Sequence, residues 1–176
     1  MLDQTFFIEL QNYINDHMEI RFLEEANSSH EIFNRDEIFK RDGILESISP
    51  IEIDEFIKEK RQPVLREVLF SFIDRKGATD AEIYKKAQVD RRHFSKIRSN
   101  TDYRPGKNTV IALALALELD KKETGKLLSS AGYSLSDSDT SDLVIQFCIE
   151  KRIFDIHQVN EALVYFSLKP LGGSMV

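Results

Sequence analysis

The run TVIALALALEL, residues 109–119, is apolar at nearly every position. A helix that is apolar on all sides has no face to give to water, so other elements must wrap it. The surrounding residues supply those wrappers at helical spacing. From Pro63 onward, Val64, Leu65, Val68, Leu69, Phe72 and Ile73 repeat at i, i+3 and i+4. Pro63 suits the first turn of this helix, where no backbone N–H is needed, and Gly77 ends it. Thr79 or Asp80 caps the next helix, with Ile83 and Ala87 on its inner face. Asp90 caps a third, with Phe94 and Ile97 inward, and the loop NTDYRPGKN follows. After the central apolar helix, Asp120 opens a fifth, KKETGKLLSSAG, which stops at Gly132.

The flanks also read as helical. Residues 3–25 place Phe6, Leu10, Tyr13, Ile14 and Phe22 near one stripe, with Glu9, Asn12, Asp16 and Glu19 opposite. Residues 27–50 carry the apolar pairs Ile32-Phe33, Ile38-Phe39 and Ile44-Leu45, spaced by charges and punctuated by Gly43 and Pro50, and a helix is expected there. Residues 51–60, IEIDEFIKEK, make a short helix. A polar connector, SLSDSDTSD at 134–142, leads to two further helices, 141–151 and 155–166, the second capped by Asp155. Leu143, Val144, Phe147, Val159, Leu163 and Phe166 on these helices suit either closure of the core or a dimer contact. The tail LGGSMV, 171–176, is expected to be disordered. The expectation is an all-α fold: an acidic N-terminal helical region at 1–60, a five-helix core at 61–133 and a two-helix extension at 134–170.

Charge is distributed unevenly over this plan. The net charge is −6, yet residues 61–107 carry +6, against −9 over residues 1–60 and −3 over residues 108–176. Such asymmetry says more than the total, and it places a basic face on an acidic protein. Other chemistries find no support. The four histidines, His17, His30, His93 and His157, are widely spaced and lack partners at metal-ligand spacing, so no metal is expected. The single cysteine, Cys148, sits at an apolar helical position in LVIQFCIEK, where it reads as a small buried hydrophobe. No phosphate-cradling glycine loop occurs, and adjacent carboxylates such as Glu24-Glu25 and Asp54-Glu55 read as surface. No enzymatic activity and no cofactor are expected. The N-terminus MLDQTFFIEL lacks a basic start and a small-residue cleavage site, and no apolar run reaches ~18 residues. With one cysteine, this points to a reducing, cytoplasmic setting without membrane contact.

Within the basic block, residues 79–100 read TDAEIYKKAQVDRRHFSKIRSN, two short helices joined at Gln88-Val89-Asp90. Reading DNA needs a bracing helix and a second helix with one apolar face to anchor it and one polar face for the major groove. Phe94 and Ile97 anchor; Arg91, Arg92, Ser95, Lys96 and Ser99 face outward. Arg91 and Arg92 open the helix, where arginine pairs bidentately with guanine. Ser95 and Lys96 follow one turn on. Asn100, Tyr103, Arg104 and Lys107 occupy the next loop, placed for phosphates. His93 lies beside Arg92, at the surface or near a phosphate.

Residues 63–133 resemble the Cro/CI, or xenobiotic-response-element, helix-turn-helix family. The likeness rests on the five-helix order, Ile83 in the second helix, Val89 at the turn, the Ser95-Lys96-Ile97 core, Pro105 in the loop and IALALALELD in the fourth helix. The stretches YRPGKNTVIALALALEL and AGYSLS resemble a bacterial subset that occurs attached to other domains. The resemblance implies a lambda-repressor-like core. It also implies sequence-specific binding of double-stranded DNA, by a homodimeric transcriptional regulator with the recognition helix at about residues 90–100. Three positions depart from the family pattern. Gln88 stands where glycine is usual and a positive φ is needed. Tyr84 replaces a small residue and needs a wider helix crossing or an outward ring. Asp80 stands where a neutral phosphate donor is common, and it would repel phosphate.

A second class of function fits the acidic segment. Residues 1–60 combine −9 with Phe6, Phe7, Phe22, Phe33 and Phe39. These could pack onto the core, mediate self-association or bind a basic protein partner. In that reading the chain is an interaction or inhibitor protein, of the kind encoded by phages or mobile elements, with the helix-turn-helix kept for autoregulation or not used on DNA. RNA binding would need an exposed aromatic platform, which the basic block lacks.

Overall fold

The computed structural model describes residues 2–28 and 50–172, with side chains described for 2–17 and 50–172. All regular structure among the described residues is helical. In chain order the helices are α1 (Gln4–Ser28), α2 (Pro50–Lys60), α3 (Leu65–Lys76), α4 (Asp80–Lys86), α5 (Arg91–Ser99), α6 (Lys107–Ala116), α7 (Lys121–Ser130), α8 (Thr140–Glu150) and α9 (Ile156–Tyr165). The helix expected across 27–50 falls, for residues 29–49, outside the described residues, as do the side chains of Phe22, His30, Phe33 and Phe39.

The chain divides into two compact units, Met1–Met18 with Pro63–Val176, and Glu19–Gln62. Of the acidic segment expected at 1–60, residues 1–18 belong to the larger unit. The smaller unit contains α2, which has no buried residue and exposes Ile53, Phe56 and Ile57.

In the larger unit the helix ends are set by local hydrogen bonds. Gly77 (φ 66°) terminates α3 in the left-handed conformation, and Ala78 N–H donates to Ile73 O at 3.3 Å. Thr79 caps α4 with Glu82 in a reciprocal capping box, and Asp120 does the same for α7 with Glu123. Hydrogen bonds from the Thr79 backbone and hydroxyl hold the Glu82 carboxyl below its ordinary value. Asp90, Asp139 and Asp155 cap α5, α8 and α9. Two starts differ from expectation. Helix α3 begins at Leu65, after Pro63 rather than with it. Helix α6 begins at Lys107, since its first turn is polar and invisible to an apolar pattern.

Helix α6 is central, as its all-round apolarity requires: every residue of 110–116 is buried. It packs against α4, α7 and α9, while α3 packs on α7, and α8 on α7 and α9. Helix α8 is equally enclosed, with residues 142–149 all buried. Leu143, Val144, Phe147, Val159 and Leu163 thus close the core, with Phe166 half-buried against it. The start of α1 covers them from outside. Leu10 and Ile14 are buried, and the rings of Phe6 and Tyr13 lie 5.4 and 5.1 Å from Phe147. Glu9 pairs with Lys151 at 2.5 Å. The tail is not free from its first residue: Leu171 is 2% exposed, its N–H donates to Asn160 Oδ1 at 2.7 Å, and Asn160 Nδ2 donates to Leu171 O at 3.0 Å. Residues 173–176 lie outside the described residues.

Candidate nucleic-acid interface

Helices α4 and α5 are joined by Ala87-Gln88-Val89-Asp90, and the turn depends on one left-handed residue. Gln88 has φ 52°, the conformation expected at this position. Val89 N–H donates to Tyr84 O at 2.9 Å, and the Asp90 carboxylate accepts from Arg92 N–H at 2.7 Å and His93 N–H at 3.4 Å. Phe94 and Ile97 bury the inner face of α5 at 3% and 1% exposure. Arg91, Arg92, Ser95, Lys96 and Ser99 are exposed on the other side. The side chains of Arg91, Arg92 and Lys96 form no ion pair or hydrogen bond among the described residues.

The other candidate residues divide by what holds them. Ser99 Oγ donates to Ser95 O at 2.9 Å, and Asn100 closes α5, its Oδ1 accepting from Asp102 N–H at 2.9 Å. Arg104 is exposed and passes over Gly132, a glycine at φ 77°, with Nη1 3.6 Å from where a Cβ would stand. Tyr103 and Lys107 do not lie open as the sequence suggested. The Tyr103 hydroxyl is 2.8 Å from His93 Nε2 in a half-buried contact, which holds the imidazole against the loop. Lys107 Nζ lies 2.5 Å from Asp142 Oδ2, and that buried carboxylate also accepts from Ser136 N–H at 2.8 Å. The charge of Lys107 therefore satisfies an acid on α8. Nothing in the local sequence near Lys107 names a partner 35 residues away.

The three departures each have a structural partner. Asp80 is ion-paired with Arg98 of α5, so its charge is not left free to repel phosphate. Arg98, which no sequence motif marks, also lies over the Phe70 ring at 4.7 Å and ties α4, α5 and α3 together. Its signal is an aromatic and an acid on neighbouring helices, visible only after folding. Tyr84 lies half-buried at the core edge, its ring 5.8 Å from Phe94. The Gln88 side-chain amide donates to His157 Nε2 on α9 at 2.9 Å.

Other chemistry is thin in the described residues. No group of three or more His, Cys, Asp or Glu side chains gathers there. Burial pushes the Cys148 thiol up to about 12, so it stays protonated and inert near neutrality. A cleft of about 470 Å³ opens beside Lys76, Glu82, Lys85 and Lys86. Lys76 and Lys86 are already paired with Glu118, and hydrogen bonds from Lys86 and Lys76 hold that carboxyl below its ordinary value. No helix among the described residues is long and apolar enough to cross a membrane. The comparisons with family models, with curated proteins and with solved structures each return no match to this chain.

Proposed function

We propose that this protein is a sequence-specific double-stranded DNA-binding transcriptional regulator of the Cro/CI type. In this reading residues 61–133 form a lambda-repressor-like core, α5 lies in the major groove, and the protein works in the cytoplasm as a homodimer. One observation carries the reading. Among the described residues, Arg91, Arg92 and Lys96 stand exposed and unpaired on one face of a helix whose opposite face is locked into the core by Phe94 and Ile97. Rigid anchoring of that kind is what positions side chains at base edges. The +6 of residues 61–107, offset in part by Glu118, Glu123 and Asp142 in the fold, adds electrostatic attraction for phosphates. Arg91, Arg92 and Ser95 are assigned to base edges, and Lys96, Ser99, Asn100 and Arg104 to the backbone. Tyr103 and Lys107 are reassigned to holding His93 and Asp142.

The test is selection of bound sequences from random duplexes, followed by titration of the selected site over a salt series. Binding should weaken steeply with salt, and removing any one phosphate-binding side chain should lower the slope by about 1. Arg91→Ala with Arg92→Ala should cost about 1–3 kcal/mol for each arginine–guanine pairing it abolishes and relax the selected sequence. A selection that enriches nothing, or a double variant that binds as the parent does at every salt, overturns the groove assignment.

A second reading, a protein-interaction role through residues 1–60, is favoured by α2. That helix exposes Ile53, Phe56 and Ile57 beside Asp54, Glu55 and Glu59 and buries none of its residues. It becomes the leading reading if no duplex is selected.

A further inference from the structure

The segment after α9 folds back along that helix. Ser167, at φ 56°, reverses the chain, and Leu168 N–H donates to Leu163 O at 2.9 Å. Three residues on, the main chain of Leu171 is gripped by the Asn160 side chain, nearer the start of α9. Gly172 then lies against Gln88, whose Cβ and Oε1 stand 3.9 and 3.8 Å from where a Cβ on Gly172 would be. Gln88 Nε2 is in turn 2.9 Å from Nε2 of His157, in the first turn of α9. Residues 167–172 therefore form a strap from the end of α9 to the turn between α4 and α5.

Two features tie this strap to the turn rather than to core closure alone. Asn160 is 5% exposed on a helix whose other buried residues are Ile156, Val159, Ala162 and Leu163. A buried amide costs free energy unless its donor and acceptor are met, and here both are met by the Leu171 main chain. The position is committed to where residue 171 sits. Gln88 is the second feature. A residue with a side chain keeps the left-handed conformation only where its surroundings fix it, and Gly172 and His157 are the groups that flank the Gln88 side chain.

We propose that Asn160 and the strap are positioning elements that lock the α4–α5 turn through Gln88 and so set the angle of α5. Lifting the strap removes one wall from the Gln88 side chain and lets its backbone leave the left-handed region. Val89 N–H, which closes the turn onto Tyr84 O at 2.9 Å, then opens. The consequence for DNA rests on the groove assignment; the lock itself does not.

Amide hydrogen exchange of the full chain tests the lock. Val89 reports the turn, and Leu113, buried in the middle of α6, reports the fold as a whole. Asn160→Ala should lower the protection of Val89 by about tenfold more than that of Leu113. Gly172→Val alters the strap outside the core, at φ 88° where a branched side chain is disfavoured, and should act in the same direction with the fold intact. In a Gln88→Gly background, where the turn holds no strain, Asn160→Ala should change both amides by the same factor. Equal losses at Val89 and Leu113 with Gln88 present overturn the proposal, since a residue that only stabilises the fold moves both alike. So does an excess loss at Val89 that persists in the Gln88→Gly background. On the selected duplex, Gly172→Val should weaken binding at an unchanged salt slope. Binding as tight as the parent's, with Val89 opened, overturns the claim that the strap sets α5. A selection that enriches no duplex overturns the groove assignment instead, and the exchange result alone then decides the lock.

Discussion

Gln88 holds the turn between α4 and α5 at φ 52°, in the left-handed region that costs an L-residue ~1–2 kcal/mol. Its side chain explains why glutamine stands there: the amide reaches His157 at 2.9 Å and touches the space beside Gly172. A glycine would relax the turn and lose that tie to α9. Two truncations separate the backbone effect from the side-chain effect. Gln88→Gly should be more stable than Gln88→Ala by about 1 kcal/mol in urea unfolding, since both lack the amide and only alanine keeps the strain. Equal stabilities would mean that the backbone at 88 relaxes freely. Asp80 follows the same logic. Read alone it opposes phosphate binding, but Arg98 neutralises it within the fold.

At the scale of elements, the enclosed pair is α6 and α8. The two helices are linked where Lys107, the first residue of α6, meets Asp142 in the first turn of α8. The Asp142 side chain is 5% exposed, whereas Lys107 retains 31%. Lys107→Met should strand the carboxylate with only the Ser136 N–H and cost about 1–3 kcal/mol in urea unfolding. That is less than the ~3–5 kcal/mol of a fully buried pair because water reaches the lysine. The same variant should leave the salt slope of duplex binding unchanged. A slope reduced by about 1 would return Lys107 to the phosphate-binding set.

At the scale of the whole molecule, the five-helix segment shares its core with the flanking helices. Helix α9 packs on α6, α8 packs on α7, and α1 through Leu10 and Ile14 covers the outside of that pair. Residues 61–133 expressed alone should therefore lack a cooperative thermal transition by circular dichroism. Net stabilities are only about 5–15 kcal/mol, and the fragment is stripped of the helices that cover its core. A sharp melt at the temperature of the full chain would show the core to be self-sufficient. The sequence by itself determined the all-α class, the helix caps at Asp90, Asp120 and Asp155, and the central place of α6. It also determined the buried and exposed faces of α5, with Phe94 and Ile97 in and Arg91, Arg92 and Lys96 out. These follow from nearest neighbours along the chain, where spacing of 3.6 residues and capping chemistry act directly. Tertiary structure alone decided that Lys107 serves Asp142, that Tyr103 serves His93, that Asp80 is neutralised, and that the first turns of α1 close the core. Those outcomes depend on which groups meet across distances of ten to more than a hundred residues, and helical periodicity carries no information about such partners.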